Sequence, residues 1–136
     1  MTIVFVGSNP SEASSDYTPF QRGTKSRKVL EAWIVAAGID LDERKNVFLY
    51  NIVDKPTPKN RALNKSEIIS SIPRIKFALE SYTKIVSLGK AAHRALELAE
   101  IQHLEMPHPS GLNRKLNCPF YVNECISKLR DYTYEE

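Results

Sequence analysis

The stretch Met106-Pro107-His108-Pro109-Ser110-Gly111-Leu112-Asn113-Arg114-Lys115 carries the densest chemistry in the chain. Pro107 and Pro109 fix φ on either side of His108, so the imidazole is held without a regular element around it. Ser110 and Gly111 make a tight turn, and Gly111 tolerates close backbone approach. Leu112 then stands at the tip of a polar loop with no periodic apolar neighbours, so burying it calls for a partner molecule. Arg114 and Lys115 suit phosphate oxygens. A positioned imidazole, an apolar wedge and two cations in one loop point to chemistry on a nucleic-acid base.

Such a loop must be held by regular elements, and the chain alternates strands with helices. Residues 2–6 form an apolar, β-rich run that stops at Gly7, as a buried parallel strand does. A polar stretch from Ser8 to Gly23 follows, longer than an ordinary strand-to-helix connection and therefore a candidate functional loop. Thr24 or Ser26 caps a helix whose Val29, Leu30, Trp33, Ile34 and Ala37 share one face, ending at Gly38. A second strand over 46–53 runs into the basic, proline-stiffened loop Lys55 to Arg61. Asn64-Lys65-Ser66-Glu67 opens a helix to Ser81. A third strand over 84–88 ends at Gly89, with a helix to Ala99 directly behind it. A short strand over 102–106 delivers His108, and a last helix covers 118–132.

Short strands each followed by a helix imply an α/β fold, a three-layer α/β/α arrangement about a central four-stranded parallel sheet. The expectation is a single domain over 1–136. In such folds ligands sit beyond the carboxyl ends of the strands. The Ser8 loop, the Asn51 turn, the Gly89 turn and the His108 loop all emerge there, which gathers them into one candidate site.

Composition is that of an ordinary globular protein, with 42% hydrophobic and 26% charged residues in 136. A net charge of +3 permits a DNA partner without requiring one. No run reaches membrane-spanning length, and Met1 to Val6 lacks the basic start and long apolar stretch of a signal peptide. No membrane partner is expected, and the chain is expected to work as a monomer in the cytoplasm or at the nucleoid. Cys118 and Cys125, seven apart on one face of the expected last helix, read as small hydrophobes rather than a disulfide or zinc site. No metal and no cofactor is expected.

Five segments lie at successive strand ends: Val6-Gly7-Ser8-Asn9-Pro10-Ser11, Pro19-Phe20-Gln21-Arg22-Gly23, Tyr50-Asn51 with its loop to Arg61, Ile85-Val86-Ser87-Leu88-Gly89-Lys90-Ala91-Ala92, and His108-Pro109-Ser110-Gly111-Leu112. In that order they resemble the motifs of the uracil-DNA glycosylase superfamily. They are similar to its first catalytic motif, its Pro-Phe-x-Gly segment, its strand-end asparagine with a Pro- and Arg-rich loop, its third strand with a glycine turn, and its second catalytic motif. The overall pattern most resembles the thermostable iron–sulfur members, yet their cluster cysteines have no counterparts here, and Lys55 stands near the place of one of them. Asn9 stands where the most active uracil enzymes have aspartate, as in the mismatch-specific and single-strand-selective families. Ser11 stands where the strict uracil enzymes place a tyrosine against the thymine methyl group.

The resemblance implies hydrolysis of the N-glycosidic bond of uracil, or of a 5-substituted uracil, in single- or double-stranded DNA after the nucleotide is flipped out. Gly7, Ser8, Ser11, Phe20 and Asn51 would form the base site, with Phe20 stacked on the ring and Asn51 hydrogen-bonding its edge. His108 would donate to O2 as negative charge builds there, and Asn9 would position the attacking water. Lys59, Arg61, Ser110, Gly111, Asn113, Arg114 and Lys115 would meet the DNA, with Leu112 filling the vacated stack. Asparagine cannot act as a charged base, so slower chemistry than with aspartate is expected.

Each residue also has a plainer reading. His108 could simply tie its turn together, Asn9 could be an Asx-turn residue, and Asn51 could cap backbone groups. Phe20 could pack into the core and Leu112 against the last helix, while the cations could be solvated surface charges. His93 and His103 read as structural. A glycosylase-like fold that binds DNA or a modified base with weak or no cutting is the alternative. A flavodoxin-like phosphate-binding module is disfavoured because Pro10 removes a backbone donor from the first loop.

Overall fold

The computed structural model describes residues 2–10, 17–41, 46–110 and 114–134. Four strands, β1 (Ile3–Gly7), β2 (Val47–Asn51), β3 (Lys84–Leu88) and β4 (Leu104–Met106), form one sheet in the order β2-β1-β3-β4. Every pairing is parallel, with Ile3 opposite Val47 and Lys84, Gly7 opposite Asn51, and Leu88 opposite Met106. Because β1 lies inside the sheet, the chain leaves it first toward β2 and then returns across it to β3. The crevice at that reversal opens beyond the carboxyl ends of the strands.

The pleat sorts the strand side chains into two cores. Ile3, Phe5, Val47, Val86 and Leu88 face the helices α1 (Lys25–Ala36) and α4 (Pro119–Tyr134) through Leu30, Trp33, Ile34 and Leu129. Val4, Val6 and Ile85 face α2 (Lys65–Leu79) and α3 (Lys90–Leu98) through Ile68, Ile75, Leu79 and Leu96. The result is the α/β/α arrangement with a four-stranded parallel sheet that the alternation of elements implies. Both faces of β1 are buried, which is why Ile3 to Val6 read as an unbroken apolar run. Each such side chain contributes about 1.5–3 kcal/mol by leaving water.

Local signals set the helix starts. Thr24 accepts a hydrogen bond from the Arg27 backbone N–H and is the cap of α1. Asn64 and Glu67 form a reciprocal capping box at the head of α2. The ends differ from the sequence reading by a few residues, for identifiable reasons. Regular strand stops at Asn51, although the Ile52 and Val53 N–H groups still donate to the Gly7 and Ser8 carbonyls at 3.1 and 3.0 Å. β4 begins only at Leu104; just before it, His103 Nε2 lies 2.8 Å from His93 Nδ1. Cys118 precedes α4 and its carbonyl accepts from the Val122 N–H. The two cysteines therefore do not share a helix face: Cys118 is exposed and Cys125 is buried. Among the described residues no helix is long and apolar enough to cross a membrane.

Candidate functional site

Gly7, where β1 ends beside Asn51 of β2, is the floor on which the site is assembled. A Cβ at Gly7 would lie 2.8 Å from Asn51 Oδ1 and 2.9 Å from the Phe20 ring edge, closer than real Cβ atoms come to their neighbours. Only glycine lets the carboxamide and the phenyl ring converge here. Asn51 is 5% exposed, yet among the described residues its carboxamide makes no hydrogen bond. It lines a cavity of about 200 Å³ that it shares with Ser8, Asn9, Phe20 and His108.

The Phe20 wall is held from behind. Phe20 takes a left-handed φ of 50°, uncommon for an aromatic residue. The Arg27 guanidinium, only 4% exposed, donates from Nη1 to the Phe20 carbonyl at 2.9 Å, and its Nε pairs with Glu31 at 2.9 Å. The Thr24 hydroxyl donates to the Gln21 carbonyl at 2.7 Å, so the head of α1 grips this loop twice. From β2, Arg74 of α2 donates to the Ile52 carbonyl at 3.1 Å and lies 5.0 Å over the Tyr50 ring, bracing the turn after Asn51. The Tyr50 hydroxyl is buried without a partner among the described residues, and burial raises its pKa.

His108 closes the cavity opposite. Its ring centre lies 5.7 Å from that of Phe20, tilted by 32°. Gly89, at φ +92°, lets the loop after β3 approach so closely that a Cβ there would stand 3.2 Å from His108 Cβ. Burial pushes the His108 pKa below the ordinary imidazole value, so the ring is neutral at neutral pH. A neutral imidazole in a desolvated wall offers one N–H donor to whatever fills the cavity. Asn9 stands on the same wall, its Nδ2 reaching the Thr57 hydroxyl at 3.5 Å.

The structure thus brings Gly7, Ser8, Asn9, Phe20, Asn51 and His108 together. Ser11, Gly111, Leu112 and Asn113 lie outside the described residues. Ser110 ends the described part of the His108 loop and does not line this cavity. Lys59 is exposed on a single 3₁₀ turn, Pro58–Asn60, and Arg114 and Lys115 are exposed on another, Arg114–Asn117. Arg61 is differently placed: its guanidinium pairs with both Glu67 oxygens, at 2.7 and 3.2 Å. Sequence reading missed Arg27 and Thr57. A cation at 27 on the same helical face as Leu30 and Ile34 is the sign that could have exposed the first.

His93 and His103 lie elsewhere. Their nitrogens are 2.8 Å apart, His103 Nδ1 faces the Ile101 carbonyl at 2.8 Å, and His93 Nε2 meets Glu97 and Glu105 at 2.9 and 2.6 Å. These contacts tie α3 to β4.

Residues 1–130 match the profile of the uracil DNA glycosylase superfamily. The chain belongs to that superfamily. A DNA polymerase of Bacillus phage SP01 is 28% identical over 143 aligned residues. That alignment takes in 93% of this chain but only 15% of the polymerase, so the chain spans a small part of that relative's length. The four parallel strands and the cavity lined from their carboxyl ends lie within the matched residues.

Proposed function

We propose that this chain is a DNA glycosylase that hydrolyses the N-glycosidic bond of uracil, or of a 5-substituted uracil, flipped out of DNA. The observation that carries the reading is the desolvated, neutral His108 facing the same cavity as the buried Asn51 carboxamide and the Phe20 ring. A flat base entering the cavity stacks on Phe20, and Asn51 pairs with its O4 and N3–H edge. As C1′–N1 breaks, the bonding electrons pass to the base and its charge collects on O2. The His108 N–H stabilises that anion, as an oxyanion hole does. Water adds to the oxocarbenium-like sugar and releases a proton to solvent, while Asn9 Oδ1 holds the water by accepting one of its hydrogens. No lysine lines the cavity among the described residues, which favours water over an amine as the nucleophile.

Asn9 carries no charge to balance the cationic sugar, and this favours a second reading in which the protein binds the flipped base with little or no cutting. The wedge role of Leu112 and the room at C5 left by Ser11 rest on residue type alone. The phage relative is described as a DNA polymerase, which makes DNA at a site of synthesis a reasonable setting for the substrate.

Alkaline cleavage of labelled oligonucleotides carrying one uracil, single-stranded or opposite G or A, tests the reading. 5-Hydroxymethyluracil and thymine serve as further substrates. Abasic product is expected, and His108→Ala should lower the single-turnover rate about 10²–10³-fold, the loss typical of removing one such donor. DNA binding should largely persist in that variant. Binding without product on any substrate would leave the second reading standing.

A further inference from the structure

We infer that Thr57 is a positioning residue, which turns the Asn9 carboxamide so that its oxygen, rather than its nitrogen, faces the reaction cavity. This inference deepens the proposed glycosylase reading and rests on it for its consequence, though its geometry can be tested without turnover. Thr57 is 3% exposed and lies between Pro56 and Pro58. Its hydroxyl donates to the Arg61 carbonyl at 2.5 Å. A threonine hydroxyl has one hydrogen, and here it is committed, so only lone pairs remain for any other neighbour. Facing lone pairs, Asn9 must present its NH₂, and Nδ2 is the atom found 3.5 Å from Thr57 Oγ1. The planar amide then turns Oδ1 away from Thr57, toward the cavity that Asn9 lines. With the amide reversed, Asn9 would donate to the water and could not accept its hydrogen.

What fixes the Arg61 carbonyl lies further back. Lys59 and Asn60 hold left-handed φ values of 52° and 56°, curling the chain so that the Asn60 N–H reaches the Thr57 carbonyl at 3.1 Å. The Arg61 guanidinium is locked on Glu67, and Glu67 is itself bound to the Asn64 N–H in the α2 capping box at 2.9 Å. A chain of contacts therefore runs from the head of α2 through Arg61 and Thr57 to the one polar side chain assigned to the nucleophile. It also accounts for a buried threonine in a loop otherwise rich in proline and cations.

Thr57→Val keeps the shape and removes the acceptor, Thr57→Ala removes it in a smaller side chain should the first variant unfold, and Thr57→Ser retains it. In ¹⁵N-correlated NMR spectra the Asn9 side-chain NH₂ signals, identified by their loss in Asn9→Asp, should move in the first two variants and stay near their wild-type positions in the third. A nuclear Overhauser contact between those protons and the Thr57 methyl group is expected in the wild type. Unmoved Asn9 signals with no such contact would overturn the inference, whether or not the protein cuts DNA.

Single-turnover excision supplies the second arm. Thr57→Val should slow the reaction about tenfold, the scale of one lost orienting hydrogen bond, while Thr57→Ser should remain within about threefold. In an Asn9→Asp background the dependence should vanish or reverse, because a carboxylate offers oxygen in either orientation and repels the Thr57 lone pairs. An equal loss in both backgrounds would mean that Thr57 only supports the loop, and would refute the positioning role. Absence of product from wild type on every substrate would count against the glycosylase reading, and the NMR arm would still decide Thr57.

Discussion

At the scale of single residues, the site is defined by groups kept from water. Burial lowers the pKa of His108, Asn51 is 5% exposed and lines the cavity, and Gly7 is crowded so closely by Asn51 and Phe20 that only glycine fits. The pKa of His108 lies below the ordinary imidazole value of about 6.5. Below that value the unfolded chain takes up a proton that the folded chain does not, so stability falls as pH drops toward the depressed folded value. Above the ordinary value both states are neutral there and the contribution is flat. Comparing denaturant unfolding of wild type with His108→Gln from pH 5 to 8 isolates this term. Wild type should lose ground against the variant on acidification below about 6.5, and the difference should be level above it. A pH-independent difference would mean that the ring is not desolvated as described. These residues were readable from sequence because each stands one or two positions past an apolar run, where a parallel sheet must present its loops. Thr57 and Arg27 were not, since their roles come from carbonyls of other segments whose positions exist only after folding.

At the scale of elements, the head of α1 does the most for the site. Thr24 and Arg27 together hold the Gln21 and Phe20 carbonyls, so the Phe20 wall of the cavity is carried by the helix as well as by its own loop. Arg27→Met keeps the apolar stem and removes the guanidinium. It should destabilise the fold by about 1.5–3 kcal/mol, the range for a hydrogen bond made by a charged group. The buried Trp33, the chain's single tryptophan, reports the transition by fluorescence. The same variant should weaken binding of an oligonucleotide with a flipped or abasic-flanked base more than it weakens binding of plain duplex. Unchanged stability would show that Phe20 holds its conformation without Arg27. Strand and helix order was legible, because short unbroken apolar runs, as buried parallel strands show, alternate with helical stripes and cap residues. Ends were less so. β4 pairs with β3 only from Leu104 onward, and Cys118 precedes α4, its carbonyl accepting from the Val122 N–H. The Cys118 boundary is local, since Pro119 suits the first position of a helix and marks where α4 begins.

At the scale of the whole molecule, the question is which cations DNA would meet. The net charge of +3 is too small to bind a polyanion by itself, so placement decides. Cations near the strand ends read alike in sequence, but the fold separates them. Arg61 is taken up by Glu67 and by the contacts that lead to Asn9, whereas Lys59 and Arg114 are exposed on their own 3₁₀ turns. If the proposed DNA contact is made there, neutralising one phosphate-contacting cation should reduce the slope of log affinity against log salt by about 0.9 in duplex and about 0.7 in single strands. Lys59→Ala and Arg114→Ala should each show that reduction, and together roughly double it. Arg61→Ala should leave the salt slope nearly unchanged while slowing excision, because it loosens the Thr57 carbonyl partner rather than a phosphate contact. Fluorescence anisotropy of labelled oligonucleotides across a salt series, alongside single-turnover excision, separates the two effects. A slope that falls with Arg61→Ala and holds with the other two would place the DNA across the head of α2 instead of across the mouth of the cavity.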